Sequence, residues 1–287
     1  MSRVLLVPNS IEDITKLKDK VDGFILPIKD LSINYNYYID IKDIDKILKE
    51  LNNKDIFISL NKNMHNSDLP KLKDTLLMLE NYNIKGIMYY DISIVNYKKE
   101  LNLKNDIVWN QDHLVTNYST VNYWYNEGSK YAYLSSEITK NEIIEIKKNT
   151  KAKLIANIFG YVPIFTSKRN LVNNYLETFD KEKVSNIYYM YKEGIKYPLV
   201  EEGNGTVAYS GYVLNAIKEY FDLDLDYYVI NSFLIEDIEK VVDIFNTLDK
   251  DNLEKCYQKL SKLIPNTSEG FLYQETIYKV KRWQNEY

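Results

Sequence analysis

Eight short apolar segments recur along the chain, and segments with helical patterns lie between them. The apolar segments are VLLVP (4–8), GFILP (23–27), DIFISL (55–60), GIMYY (86–90), DIVW (106–109), YAYL (131–134), KLIANI (153–158) and DYYVI (226–230). Segments of this length that are rich in β-branched and aromatic residues favour strands. Strands that alternate with helices predict parallel pairing through right-handed crossovers.

The intervening segments carry helix start signals and apolar stripes. Ser10 stands three residues before Asp13, and Thr139 stands three residues before Glu142. This is the spacing at which a hydroxyl caps the first turn of a helix. Stripes with helical spacing lie at Leu72, Leu76 and Leu79, and at Ile238, Val241, Val242, Phe245 and Leu248.

Eight strand–helix units in a chain of 287 residues, 45% of them hydrophobic, predict an α/β fold of the (β/α)8 TIM-type barrel class. A doubly wound open sheet is the competing architecture. Such a sheet commonly carries a glycine-rich phosphate loop after its first strand, and Pro8-Asn9-Ser10 occupies that place here. The barrel is therefore the favoured fold.

The spacing of the strands breaks once, because the last two begin 73 residues apart, at Lys153 and Asp226. We therefore expect an insert at residues 160–210, between strands seven and eight. The barrel with this insert would comprise residues 1–235. Residues 236–287 would form C-terminal helices and a tail packed on the barrel, with GFLYQETIYKVKRW as a strand-like flap. Its basic end carries Lys279, Lys281 and Arg282.

Composition excludes several classes of protein. The net charge of −4 argues against a broad nucleic-acid-binding surface, and the 27 tyrosines are a composition that an A/T-rich genome produces. The single cysteine, Cys256, excludes an internal disulfide and any multi-cysteine zinc or iron–sulfur site within this chain. No stretch reaches the about 18 apolar residues of a membrane span, so we expect a cytoplasmic protein without membrane contact.

The C-terminal ends of barrel strands are where a functional site is expected. Polar residues follow the predicted strands there: Asn9, Lys29, Asp30, Asn61, Asp91, Gln111 to His113, Glu137, Asn157 and Asn231. Glu137, Asp91 and His113 are the candidate catalytic residues, because a carboxylate or an imidazole can bind a ligand or move protons. Helix capping and salt bridges explain the same residues equally well.

Known catalytic patterns are absent from the sequence. HExxH, GxSxG and a glycine-rich kinase loop do not occur, and the spacing predicts no metal site. The chain has two histidines. His65 lies in the polar run NKNMHNSD and is expected to be solvated, which leaves His113 as the histidine of interest.

Several motifs together resemble the peptidase U32 (collagenase-like) family. They are FISLN, GIMYYD, VTNYSTVNYWYNEGSKYAYLSSEIT and IANIFGYVPIFTS, in this order. Asn117 with Glu137, and Gly160 with Ser167, are the best anchors of this resemblance. It extends from about residue 10 to the tail.

The resemblance implies an iron–sulfur loop whose ligands are missing here. Family members commonly carry cysteines at the positions of Pro163 and Asn170, and a second pair further along the insert. Four such thiolates resemble the ligands of a 4Fe–4S cluster. The chain is therefore similar to a short, cysteine-free member, with no cofactor of its own. A larger U32 homologue that carries the cluster is the expected partner.

Well-understood relatives in this family resemble RNA- or quinone-modifying hydroxylation factors. The resemblance therefore implies a subunit for C5-hydroxylation of the tRNA wobble uridine, with tRNA as a further partner. Side chains alone do not insert oxygen into a ring, so the redox cofactor would come from the partner. Residues expected to contact RNA or a small carboxylic ligand such as prephenate are Asn61, Gln111, Asn117, Lys168 and Arg169.

Two other functions stay open at this point. The family name implies a peptidase, which would use His113, Asp91 and Glu137, although no nucleophile or metal set is arranged for them. A non-catalytic structural or regulatory subunit is the second alternative. The sequence does not decide whether the chain is itself an enzyme.

Overall fold

A computed structural model of the chain describes residues 2–202 and 205–274. Its strands are β1 (Arg3–Val7), β2 (Gly23–Pro27), β3 (Asp55–Leu60), β4 (Gly86–Tyr89), β5 (Ile107–Trp109), β6 (Ser129–Tyr133), β7 (Lys153–Gly160), β8 (Pro163–Ser167), β9 (Ile187–Lys192), β10 (Ile195–Glu202), β11 (Gly205–Tyr209), β12 (Val213–Asn215), β13 (Tyr227–Asn231) and β14 (Thr267–Ser268).

Ten helices connect and flank these strands within the described residues. They are α1 (Ile11–Leu17), α2 (Ile44–Glu50), α3 (Leu69–Leu79), α4 (Ser93–Glu100), α5 (Tyr118–Asn126), α6 (Lys140–Asn149), α7 (Leu171–Thr178), α8 (Tyr220–Leu223), α9 (Ile238–Asn246) and α10 (Leu253–Leu263). The predicted caps are confirmed: Ser10 accepts a hydrogen bond from the Asp13 amide, and Thr139 forms a capping box with Glu142. In this part of the chain no helix is long and apolar enough to cross a membrane.

Strands β1 to β7 pair in sequence order and in parallel, and β13 pairs in parallel with both β7 and β1. This closes an eight-stranded barrel, so the predicted (β/α)8 fold is confirmed. Each of the eight predicted segments supplies one barrel strand. Parallel strands buried on both faces read as continuous apolar runs, which is why short apolar segments located them.

Aliphatic and aromatic side chains together fill the interior of the barrel. The Phe57 ring meets the rings of Tyr131 and Tyr227 edge-on, with centroids 5.3 and 5.2 Å apart. At the N-terminal end of the barrel the buried Asp55 carboxylate accepts a hydrogen bond from the Tyr227 hydroxyl at 2.8 Å, and Arg3 pairs with the same carboxylate. The barrel is thus a packed core, and a ligand has room only at its ends.

The insert between β7 and β13 forms a second, antiparallel sheet in the order β8-β11-β10-β9. The fully buried Glu201 carboxylate accepts hydrogen bonds from the amides of Val172 and Asn173, at 2.7 and 2.8 Å, and from the Thr206 hydroxyl. It therefore caps the N-terminus of α7 and fixes this helix to the sheet. The predicted interruption between strands seven and eight is confirmed.

Gly160 ends β7 and turns the chain into the insert. Its φ is +119°, and a Cβ there would overlap the backbone oxygen of Asn231 at the end of β13. Only glycine combines this conformation with so close an approach of two strands. Gly160 is therefore needed for the junction of barrel and insert.

The C-terminal segment packs beside the junction. β12 pairs antiparallel with β7, and β14 pairs with β12. The Lys140 amide donates to the Leu272 carbonyl at 2.9 Å, so the chain returns to α6 before residue 274. Residues 270–274 form a turn. The rest of the predicted flap, with Lys279, Lys281 and Arg282, lies outside the described residues.

Candidate functional site

A cleft of about 430 Å³ lies at the C-terminal end of the barrel, between the loops after β3, β4 and β5 and strand β8 of the insert. Lys62, His65 and Lys168 line one side, and Asp112 and His113 line the other. A smaller, narrower space continues from Asp112 and His113 towards Glu137 and Asn157 over the barrel mouth. The insert thus converts an open barrel mouth into a walled site.

The basic side of the cleft centres on Lys168. Its Nζ donates to the Asn63 carbonyl at 2.7 Å and lies 3.1 Å from Nε2 of His65. Among the described residues no carboxylate lies within ion-pair distance of Lys168, whereas Lys62 is paired with Asp68 at 3.1 Å. The Lys168 ammonium is therefore positioned without a counterion and can bind an anionic group.

The acidic side of the cleft centres on Asp112, in a 3-10 turn after β5. The residue has a φ of +36°, a conformation that few residues other than glycine adopt. Burial raises the pKa of the Asp112 carboxyl to about 6; nearby His113 lowers this pKa and Glu137 raises it. The group can therefore exchange a proton near neutral pH.

His113 and Glu137 form a pair beside Asp112. Nδ1 of His113 lies 3.2 Å from Oε2 of Glu137, and their side chains are 48% and 44% exposed. The 3-10 turn after β5 holds the histidine, and the loop after β6 holds the glutamate. Two of the candidate catalytic residues are thus brought together at the cleft.

A layer of polar groups closes the barrel mouth below the cleft. The Tyr35 hydroxyl donates to Ser59 at 2.9 Å, and the Tyr133 hydroxyl donates to Asn157 at 2.6 Å. Burial raises the pKa of both phenols above the ordinary value, so they stay neutral. Each hydroxyl is hydrogen-bonded to its neighbour, so these side chains form a fixed floor beneath the cleft.

Asn61, a predicted ligand-binding residue, lines the mouth but is buried. Its side chain accepts from the Ile33 amide at 3.0 Å and donates to the Ile33 carbonyl at 3.1 Å. This bidentate contact holds the loop after β2 in place. The structure thus gives Asn61 a clear role in shaping the site.

Four other predicted site residues lie outside the cleft lining. Asp91 accepts from the amides of Met64 and Ser93 at 3.0 and 2.9 Å, which fixes the loop after β3. The other three are Gln111, bonded to Trp109 and to the Tyr90 carbonyl; Asn117, the N-cap of α5; and Arg169, whose side chain is exposed beside the insert.

Sequence reasoning missed three residues of the cleft. Asp112 lies within the polar run after β5, but nothing in that run indicated that its carboxyl would be buried and its pKa raised. His65 is exposed as expected, yet it lies against Lys168, which is 103 residues away in the chain. Lys62 follows Asn61 directly, and a lysine at the end of a strand does not by itself indicate a binding site.

The residues at the cluster positions do not fit an iron–sulfur cluster. Pro163, the first residue of β8, has no ligand atom, and Asn170, just before α7, has a neutral amide. Cys256 lies on α10, where it is buried and contacts Asn252. No group of three or more His, Cys, Asp or Glu suited to a metal occurs within residues 2–202 and 205–274.

A family model of peptidase family U32 matches residues 29–243. The chain belongs to peptidase family U32. A curated relative, tRNA hydroxylation protein P2 of Bacillus subtilis (strain 168), is 24% identical over 96% of this chain and 98% of its own length. tRNA hydroxylation protein P1 of the same strain is 24% identical over 45% of this chain and 30% of its own length.

A solved U32 peptidase has the same fold. Its TM-score is 0.52 at 13% identity, with 80% of this chain and 92% of that chain covered. At this identity the likeness concerns the architecture alone. It agrees with the closed parallel barrel of this U32 protein.

Proposed function

We propose that the chain is a subunit for hydroxylation of the tRNA wobble uridine at C5. The observation that carries this proposal is the similarity to tRNA hydroxylation protein P2, which extends over nearly the full length of both chains. Because the similarity covers 96% of this chain, it includes the insert as well as the barrel. Its place of action would be the cytoplasm, where tRNA is modified.

A division of labour with a second protein follows from the chemistry. Hydroxylation of a pyrimidine carbon needs a redox cofactor, and Pro163 and Asn170 do not fit a cluster here. A related U32 chain that retains the cysteines would supply the cluster. Relatives named P1 and P2 occur as a numbered pair in one strain, and both resemble this chain.

The cleft gives this subunit a binding role. The Lys168 ammonium, which has no ion pair among the described residues, fits an anion, either a phosphate of tRNA or a small carboxylic ligand such as prephenate. The Asp112 carboxyl and the His113–Glu137 pair lie opposite and can accept hydrogen bonds from a bound molecule or hold a proton. Arg169, next in the chain, can add a contact to phosphate from the rim.

A peptidase function is the weaker alternative. Among the described residues, His113 has no hydrogen bond to a serine, threonine or cysteine side chain, so no activated nucleophile accompanies the His113–Glu137 pair. Asp91 is committed to two backbone amides and lies outside the cleft. The geometry thus favours binding over hydrolysis.

Affinity purification of the tagged chain from its own cells tests this proposal. We expect a larger U32 homologue to co-purify, with iron and a visible absorption band that the chain alone lacks. Lys168→Met should reduce tRNA binding by the complex, while Lys151→Met, an exposed lysine after α6, should leave it unchanged. Gelatin cleavage by the chain alone, lost in Glu137→Gln, would instead establish the peptidase alternative.

A further inference from the structure

Strand β9 is an open edge of the insert sheet. It carries the sequence IYYMYK and pairs only with β10 in the described structure. The two strands are joined by Glu193 and Gly194, with φ values of +53° and +78°, in the tight turn typical of two-residue hairpins. Within residues 2–202 and 205–274, the opposite side of β9 faces no other strand.

The register shows which backbone groups point outwards. Lys192 faces Ile195 across the two-residue turn, and such a closing pair exchanges hydrogen bonds within the hairpin. The amide of Glu201 donates to the carbonyl of Asn186 at 3.1 Å, which places the even-numbered residues of β9 in the bonded set. The amides and carbonyls of Tyr189 and Tyr191 therefore point away from the sheet.

Natural sheets protect such edges with proline, bulges or charges, and β9 has none of these between residues 187 and 191. Tyr189, Met190 and Tyr191 are 41%, 43% and 69% exposed. Among the described residues, nine of the 15 exposed large apolar side chains lie between residues 165 and 195. A concentration of this kind marks an interaction surface.

The charge of the insert favours protein over nucleic acid as the occupant. Residues 160–210 contain six Lys and Arg and six Asp and Glu. A surface that binds RNA through its phosphates needs an excess of positive charge. The apolar edge therefore fits another polypeptide strand.

We propose that β9 pairs antiparallel with β9 of a second copy of this chain, with Tyr189 on the two-fold axis. In this register Tyr189 faces Tyr189 of the partner subunit, and Ile187 faces Tyr191 of the partner subunit. The residues of each of these pairs point outwards, so they can exchange backbone hydrogen bonds across the interface. The two insert sheets become one continuous eight-stranded sheet. This surface is separate from the cleft and does not depend on the tRNA proposal.

The side chains in this register are self-complementary, which favours a second copy of this chain as the partner at the β9 edge. Tyr188 faces Met190 of the partner subunit, and Lys192 faces Asn186 of the partner subunit. Apolar residues thus meet apolar residues on both faces, and no like charges oppose each other. Cross-strand aromatic and aliphatic pairs of this kind stabilise sheets.

Analytical ultracentrifugation of the purified full chain tests the proposal. We expect a dimer at micromolar concentration. Tyr191→Pro removes an outward amide, and Tyr191→Lys places a charge on the edge; each should weaken dimerisation at least about tenfold, with unchanged circular dichroism. Tyr123→Lys, at a 58% exposed tyrosine on α5, is the matched control and should leave the dimer intact.

Cysteine crosslinking tests the register. Tyr189→Cys should form an intersubunit disulfide under mild oxidation, and Phe179→Cys, at a more exposed position away from β9, should not. A monomeric wild-type chain, or a dimer that Tyr191→Pro and Tyr191→Lys leave unchanged, would overturn the proposal. Binding of a different protein to β9 by a chain that is monomeric alone would also overturn it.

Discussion

Oε2 of Glu137 lies 3.2 Å from Nδ1 of His113, and this pair joins the loops that follow β5 and β6. Both side chains are nearly half exposed, so the pair contributes only about 0–1 kcal/mol to stability. Its position across the cleft from Lys168 is better explained by binding than by folding. The two roles can be separated by experiment.

Glu137→Gln should lower the 5-hydroxyuridine content of tRNA at least about tenfold, because a lost hydrogen bond to a charged group costs about 1.5–3 kcal/mol of binding free energy. The melting temperature should change little. Glu127→Gln breaks a comparable surface pair with Lys99 outside the cleft and serves as the control. Equal hydroxylation in the two variants would contradict a role for Glu137 in the site.

Asp112→Asn should change how stability depends on pH. Because burial raises the pKa of Asp112 to about 6, the folded state holds a proton that the unfolded state releases near pH 4. The wild-type contribution is full below about pH 4 and is lost as the pH rises through about 6.

The variant should therefore be more stable than wild type at pH 7.5 by about 1–2 kcal/mol, after allowance for solvent screening, and equally stable at pH 4. Denaturant unfolding at both pH values measures this difference. A variant that is destabilised at pH 7.5 would show that the Asp112 carboxylate makes a favourable contact.

Gly160→Ala should destabilise the protein by about 3 kcal/mol or more, because the added methyl group overlaps the backbone of Asn231 and the φ is positive. Gly128→Ala is the matched control. Its φ of +105° carries the same conformational penalty, but a Cβ there meets only open space. We expect it to cost about 1 kcal/mol in thermal unfolding.

If Gly160→Ala were no more costly than Gly128→Ala, β7 and β13 would be free to separate at this point. A close contact between Gly160 and the backbone of Asn231 would then be ruled out.

Glu201→Ala should loosen the insert and leave the barrel folded. The substitution leaves the amides of Val172 and Asn173 without their acceptor, at a cost of about 2–4 kcal/mol. Limited proteolysis should then cut within residues 171–202, whereas the exposed Glu182→Ala control should be cut as slowly as wild type. First cuts within the barrel would refute this account of Glu201.

The barrel could be predicted from sequence because each strand is a local apolar run between helix signals. The spacing of the strands also located the insert, but the four strands inside the insert could not be predicted. IYYMYK and GTVAY become strands only because β8 to β11 bury part of their surface against one another, and Glu201 is buried by a contact with residues 28 and 29 positions away. Such tertiary contacts leave no periodic pattern in the chain.

The site was predictable in part for the same reason. Strand ends located His113 and Glu137, which the structure brings together. Asp91 and Gln111 also follow strands, and Asn117 was indicated by the family resemblance, but their side chains bond to nearby backbone groups. Lys168 and His65 meet only because the insert folds back over the barrel, so no local signal could have joined them.

Mass spectrometry of nucleosides from total tRNA tests the central claim most directly. A strain lacking this gene should lose 5-hydroxyuridine and its derivatives, and the wild-type gene should restore them. Lys168→Met should restore them poorly, and Lys151→Met should restore them fully. An unchanged nucleoside profile in the deletion strain would contradict the assignment of this U32 protein to wobble-uridine hydroxylation.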